Sequence, residues 1–214
     1  MLTNITMSNF REQIDGIFYI NLDHRTDRKE EIEKELTRFD LKFERFPAIP
    51  HKIGGVGCGT SHLEVIKLAK QRGYRNVLIF EDDIEFIVDK ETFNKNMQAL
   101  FDHKMLMADY DVCFLAYNVT SSEPMTPYPF VQRVWESQTA SAYLINDHFF
   151  DTLINLYSYS INMFERRDEH WTYSIDQSWK QIQPHTFWIC FTDRMGKQRA
   201  SMSDNTCVFT DYGV

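Results

Sequence analysis

The chain lacks any apolar stretch approaching the ~18 continuous residues that a membrane-spanning helix needs. Met1 to Gln13 also lacks the apolar run of a secretory leader. Cysteine is sparse and unpatterned: Cys58, Cys113, Cys190 and Cys207 stand far apart, with no CxxC pair and no Cys/His zinc spacing. Reduced core thiols in a cytosolic protein are therefore expected rather than a disulfide framework. Asn4-Ile5-Thr6 and Asn118-Val119-Thr120 fit the glycosylation pattern, which matters only in a secreted chain. Neither a Gly-Lys-Ser/Thr phosphate loop nor a GxGxxG following a strand is present. Positive charge is in deficit, with a formal net charge of −8. That deficit argues against nucleic acid or an anionic membrane as the main partner. It leaves room for an anionic ligand held locally by a few Arg, Lys or a metal.

What is present is enough for one compact domain. The 214 residues are 43% hydrophobic and 14% aromatic, with 17 Phe and 10 Tyr, so much of the core should be ring packing. Ile14 to Leu22 is an apolar run that suits a buried strand. Asp27-Arg-Lys-Glu30 has the capping-box form, and Ile32, Leu36 and Phe39 supply the helical stripe behind it. Lys42 to Phe46 reads as a short strand, and Pro47 to Gly59 as an ordered loop. Ser61-His-Leu-Glu64, a second capping box, predicts a helix that Gly73 ends. Asn76 to Phe80 is apolar on both faces, as a central strand covered by helices should be.

Further on, the pattern predicts a helix over Phe93 to Phe101, a strand over Val112 to Leu115, a loop over Ser121 to Pro129 and a strand over Ala140 to Ile145. A helix from Asn146 or Asp147 through Tyr159, a short helix from Ser174 and a strand over Phe187 to Phe191 complete the series. The tail from Asp193 is polar and is expected to be irregular. The alternation favours a single α/β domain with a mainly parallel central sheet flanked by helices. In such sheets ligands bind outside the carboxyl ends of the strands.

Chemistry concentrates at those ends. Glu81-Asp82-Asp83 follows directly on the most apolar strand, and three adjacent carboxylates there need compensation. A hard divalent cation supplies it, with vacant positions for phosphate oxygens. The competing reading is a solvated acidic turn. In extended geometry Glu81 and Asp83 share one face while Asp82 points away. Asp83, with Glu81 as a possible second ligand, is therefore expected on the metal, and Asp82 on the ribose or a structural partner. The first strand ends Asn21-Leu22-Asp23-His24-Arg25-Thr26-Asp27-Arg28. Polar groups there suit a base and ribose, and Arg25 or Arg28 suits either phosphate or the acidic triplet. The run Gly54 to Ser61 puts a glycine-rich loop onto a helix N-terminus, where backbone N–H groups favour an anion. His62 beside it is either a substrate contact or a capping neighbour.

A second acidic cluster contains Asp168, Glu169 and Asp176, with His170 and Trp171. Activation of an acceptor hydroxyl needs a carboxylate or His within reach. Asp176 in a first helical turn is the candidate, although the helix dipole that steadies its anion also weakens it as a base. Trp171 and Trp179 are either sugar-stacking or core rings.

Taken in order, these segments resemble glycosyltransferase family 25, which includes bacterial lipopolysaccharide and collagen galactosyltransferases. The matching stretches are FYINLDHRTDRKEEIEKEL, GCGTSHLEVIKLA, NVLIFEDDIEF, ASAYLINDHFFDTLI and SIDQSW, with QRASMSDN a weaker match. The resemblance implies a GT-A-like nucleotide-sugar-binding fold, a UDP-sugar donor and manganese (or magnesium) at the triplet. It places Asn21, Leu22, Arg25 and Arg28 by the nucleotide; His62 and Asp82, read from the residues as substrate and ribose contacts, join that nucleotide-sugar site. Glu81 and Asp83 become the metal ligands, and Asp176 the carboxylate near the acceptor, in an inverting displacement. The expected reaction moves a hexose, galactose or glucose, to a hydroxyl of a glycan, lipopolysaccharide or glycoprotein. The acidic triplet alone also suits a metal-dependent nucleotidyltransferase or phosphohydrolase, or a non-catalytic nucleotide-sugar-binding module. The chain stops soon after the last motif without an obvious capping element, so it also reads as a domain cut from a longer protein.

Overall fold

A computed structural model describes residues 9–202, 209–211 and 213. The elements follow in the order α1 (Phe10–Gln13), β1 (Gly16–Asn21), α2 (Thr26–Arg38), β2 (Glu44–Pro47), α3 (Gly54–Gln71), β3 (Asn76–Glu81), β4 (Ile84–Phe86), α4 (Lys90–Asp102) and α5 (Lys104–Asp109). They continue with β5 (Val112–Pro124), β6 (Val131–Asn146), α6 (Phe150–Arg167), α7 (His170–Tyr173), α8 (Ile175–Ser178), β7 (Trp188–Phe191) and β8 (Gly196–Gln198). Two short strands, β9 (Ser201–Met202) and β10 (Phe209–Thr210), pair with each other.

Eight strands form one open sheet in the order β2-β1-β3-β6-β7-β5-β8-β4. The sequence pattern holds at its heart. Along β1, Ile17 and Tyr19 face one core while Phe18 and Ile20 face the other. Along β3, Leu78 and Phe80 alternate in the same way with Val77 and Ile79. Helices α2 and α4 contribute Leu36, Phe93 and Met97 to the first core. Helices α3 and α6 contribute Ile66, Leu153 and Tyr157 to the second. Ring packing is dense, with Phe39, Phe86 and Phe93 in mutual contact on one side and Phe114, Trp179 and Trp188 on the other.

Several expectations are corrected. The sheet is mixed rather than mainly parallel: β1 runs parallel to β2 and β3, but β6 is antiparallel to β3, β5 and β7. The cause is the β5–β6 connection, a hairpin that must return antiparallel, whereas β1, β2 and β3 are joined through helices. The hairpin also carries Ser121 to Pro124 into β5, although the prolines of that stretch favour a loop. The glycine-rich segment is helical from Gly54, so Ser61 lies well inside α3 and is not its cap. Its hydroxyl donates to the Gly57 carbonyl and accepts from the Ile49 amide. The tail is not wholly irregular, because β8 joins the main sheet beside β4 and β5. Cys58, Cys113 and Cys190 are free thiols, and Cys207 lies outside the described residues, as does Asn4-Ile5-Thr6. Among the described residues no helix is long and apolar enough to cross a membrane.

Candidate functional site

Parallel pairing of β1 with β3 sets Ile20 opposite Glu81. The carboxyl end of β1 and the acidic triplet after β3 therefore meet at the same edge of the sheet. The three acidic residues take three different environments.

Asp82 is almost fully buried, and each of its carboxylate oxygens has a donor. Asn21 Nδ2 donates to its Oδ2 at 2.7 Å, and Arg28 Nη1 donates to its Oδ1 at 3.0 Å. Burial raises its pKa, against the pull of Asn21 and Arg28. Asn21 is itself held by Arg45, whose Nε donates to Asn21 Oδ1 and whose Nη2 donates to the Asn21 carbonyl, both at 3.0 Å. Arg45 carries no such signal in the sequence, where it reads as one polar residue of a short strand.

Asp83 is the least compensated. Its Oδ2 accepts from Arg28 at 3.3 Å, while its Oδ1 is buried with no hydrogen-bond partner among the described residues. Burial and the neighbouring Glu81 charge push its pKa up to about 7. The Arg28 guanidinium between Asp82 and Asp83 is stabilised in its charged form by both carboxylates, which outweighs its own burial. Arg28 thus takes the second of its two expected partners, the acidic triplet.

Glu81 turns toward α3. His62 Nε2 stands 3.2 Å from its Oε1, and Cys58 Sγ lies 3.4 Å from the same oxygen. Gln198 Nε2, from β8, reaches Oε2 at 3.4 Å. Burial alone would raise the Glu81 pKa, but the hydrogen bonds from His62 and Cys58 bring it below the usual value. Cys58 moves the other way, since burial and the Glu81 carboxylate hold its thiol protonated. His62 is fully buried, and its Nδ1 lies 2.7 Å from Tyr143 Oη on β6.

The remaining candidates are placed as follows. Arg25 forms a two-point pair with Asp27, at 3.0 and 2.9 Å, and its amide donates to the Leu22 carbonyl. Asp176, in α8, accepts at Oδ2 from the Thr139 amide at 3.2 Å and from Gln177 Nε2 at 3.3 Å. Burial raises its pKa, and the field of Glu81 adds to that. Asp176 therefore belongs to the same electrostatic cluster as the triplet, although it lies far away in sequence. Thr139 adopts φ of +82°, a left-handed conformation costly for a β-branched residue, and its amide is the one that meets Asp176. Trp179 is a core ring whose Nε1 donates to the Ser137 carbonyl, whereas Trp171 is 77% exposed.

No protein-family model matches the chain. It is 26% identical over 129 residues to a protein from Drosophila melanogaster named glycosyltransferase 25 family member, covering 47% of this chain and 21% of that protein. It is 25% identical over 150 residues to procollagen galactosyltransferase 1-B of Xenopus laevis, covering 56% of this chain and 24% of that protein. The chain thus spans between a fifth and a quarter of the length of these curated relatives. Among solved structures it resembles a glycosyltransferase involved in the glycosylation of the major capsid of PBCV-1. The TM-score is 0.50 at 10% identity, with 88% of this chain and 93% of that chain covered, a likeness of fold. The chain is accordingly a homologue of proteins named glycosyltransferase 25 family member and procollagen galactosyltransferase, with the GT-A-like fold of a glycosyltransferase.

Proposed function

We propose that this chain is a metal-dependent glycosyltransferase that moves a hexose, galactose or glucose, from a UDP-sugar to a hydroxyl of a glycan, lipopolysaccharide or glycoprotein acceptor. The observation that carries this reading is Asp83, whose buried Oδ1 has no partner among the described residues and stands beside two further carboxylates at a strand end. A carboxylate oxygen with an unused lone pair in such a place suits a hard cation, Mn2+ or Mg2+, and Asp83 is the residue that would hold it. When bound, the cation supplies neutralisation of the charge on a departing diphosphate. The homologues' names and the fold support the transferase class.

The residues around it have separable tasks in this reading. Asn21, fixed by Arg45, and Asp82, fixed by Asn21 and Arg28, form a rigid polar wall at the end of β1 where a nucleoside would lie. Arg28 screens the triplet before donor arrives and so keeps three adjacent carboxylates compatible with folding. Asp176 takes the proton of the acceptor hydroxyl as its oxygen attacks the anomeric carbon. The bond from that carbon to the diphosphate oxygen breaks, and UDP leaves with the electron pair. Burial, by raising the Asp176 pKa, strengthens it as a base and opposes the weakening expected from a helix N-terminus.

The test is a thermal-shift panel of UDP, GDP and CMP with and without manganese, followed by incubation with UDP-galactose and UDP-glucose. Manganese-dependent stabilisation by UDP is expected, about 2.7 kcal/mol at a hundredfold excess over Kd. Release of UDP should follow. Asp83→Asn should abolish both. Selective stabilisation by GDP would overturn the donor, and release of hexose-1-phosphate or pyrophosphate would overturn the reaction class.

A further inference from the structure

Cys58, His62 and Glu81 form a compact donor set next to, but chemically unlike, the oxygen-only environment of Asp83. Cys58 and His62 stand four residues apart on α3, so their side chains share one face of that helix, and β3 delivers Glu81 to the same point. One potential ligand atom from each, a sulfur, an imidazole nitrogen and a carboxylate oxygen, all lie within 4.8 Å of one another.

We infer that Cys58 Sγ, His62 Nε2 and Glu81 Oε1 constitute a binding site for a zinc-class divalent cation, with a fourth position left open. Three features carry this. First, a tetrahedral zinc ion with bonds of roughly 2.0 to 2.3 Å spaces its ligands about 3.3 to 3.7 Å apart. The nitrogen–oxygen pair here stands at 3.2 Å and the sulfur–oxygen pair at 3.4 Å, so these two edges are already near that spacing, and the sulfur–nitrogen edge is within 4.8 Å. Second, the ring of His62 is oriented from behind. Tyr143 Oη lies 2.7 Å from Nδ1, which sets Nε2 toward Glu81, the arrangement in which metal-binding histidines are held by a second polar group. Third, the donor set is mixed. Sulfur with nitrogen and one carboxylate suits a borderline-soft ion rather than Mg2+ or Ca2+.

Three protein ligands rather than four is the count of a zinc site that keeps a position for water or a small ligand. His62 forms the buried base of the site, while Cys58 and Glu81 are partly accessible. Glu81 is thereby assigned to a cation different from the one proposed at Asp83. Sequence spacing hid the site, because a lone Cys and His four apart on a helix become a ligand pair only when a distant strand supplies the third donor.

Cobalt serves as the spectroscopic probe. The metal-stripped 214-residue chain titrated with Co2+ should develop a thiolate-to-cobalt charge-transfer band and the visible bands of a tetrahedral ion, saturating at one equivalent. Zn2+ should displace them. Cys58→Ala should lose the charge-transfer band, and His62→Gln should weaken cobalt affinity by at least tenfold. Asp83→Asn should leave the spectrum unchanged, so that failure of this site and failure of the proposed UDP–manganese site give different results. Absence of a charge-transfer band in the unsubstituted protein overturns the inference without recourse to any variant. A band that persists in Cys58→Ala overturns it as well, and leaves the three side chains as a hydrogen-bonded cluster.

Discussion

Arg28 Nη1 donates to Asp82 Oδ1 at 3.0 Å with both side chains about nine-tenths out of solvent. The same nitrogen reaches Asp83 Oδ2 at 3.3 Å. A single guanidinium thus stands between two adjacent carboxylates at the end of the central strand, with Asn21 completing the shell of Asp82. Breaking a buried pair by deleting one partner leaves uncompensated charge, which typically costs ~3–5 kcal/mol. Arg28→Gln is therefore expected to lower unfolding stability by about that amount at pH 8, measured by urea denaturation. The loss should shrink at pH 5, where Asp83 binds a proton. A change below ~1 kcal/mol at pH 8 would mean that water or rearrangement screens the triplet instead.

The pH dependence of the metal-free protein follows from Asp83. Its pKa is raised to about 7, so between the ordinary carboxylate range and that value the folded state binds a proton that the unfolded state has released. Stability contributed by this group is full below its unfolded pKa of 3.8 and is lost as the pH rises through about 7. Asp82 and Asp176 are also raised, so they act with the same sign. Glu81 is lowered and acts oppositely, but only in acid, below its unfolded value. The melting temperature without metal should therefore fall from pH 5 to pH 8. Asp83→Asn should flatten the decline, and saturating UDP with manganese should do the same to the unsubstituted protein. A melting temperature that rises over this range would show that Asp83 is already compensated.

Close approach at the start of α3 makes a prediction whose sign opposes helix propensity. Gly57 lies within the helix, where alanine is intrinsically better by about 1 kcal/mol. A Cβ there would stand 2.7 Å from the backbone oxygen of Ile49, an atom unable to move aside without shifting the loop after β2. Gly57→Ala should therefore destabilise by ~1–3 kcal/mol, measured by denaturant midpoint. A stabilised variant would show that the loop is free to move. The displacement would also disturb Cys58, the next residue, and with it the cobalt spectrum.

These positions show how far the residues themselves reveal the site. β1 and β3 were legible because Ile17 to Ile20 and Val77 to Phe80 are apolar on both faces, which only a doubly covered strand requires. The triplet was legible because three charges directly after such a strand need a physical reason. The helical start of α3 was not, since glycine runs signal loops unless neighbours demand a missing Cβ, and those neighbours, Phe164 in α6 and Ile49 in the loop after β2, lie outside that helix. The direction of β6 was equally hidden, because strand pairing is set by contacts between distant segments. Thr139 carried no signal at all, as its positive φ arises inside β6, at the residue whose amide meets Asp176.

Asp176 gives the sharpest separation between binding and chemistry. It lies in the electrostatic reach of Glu81, yet its own hydrogen bonds come from the Thr139 amide and Gln177. Asparagine retains an oxygen that can accept the Thr139 amide, so Asp176→Asn should keep the fold and the strained Thr139 backbone while removing the proton acceptor. Loss of a general base typically lowers turnover ~10²–10⁴-fold. The expected outcome is a fall of that size in UDP release from UDP-hexose, with manganese-dependent UDP binding changed far less than turnover, because the Asp176 side chain is hydrogen-bonded by Thr139 and Gln177 and not by the triplet. The pH profile supplies the control. If Asp176 takes the proton, the acidic limb of the rate should vanish in Asp176→Asn, whereas a structural role would lower the whole profile without changing its shape. Equal losses of UDP affinity and turnover would place Asp176 with the donor and leave the acceptor's base to be found elsewhere.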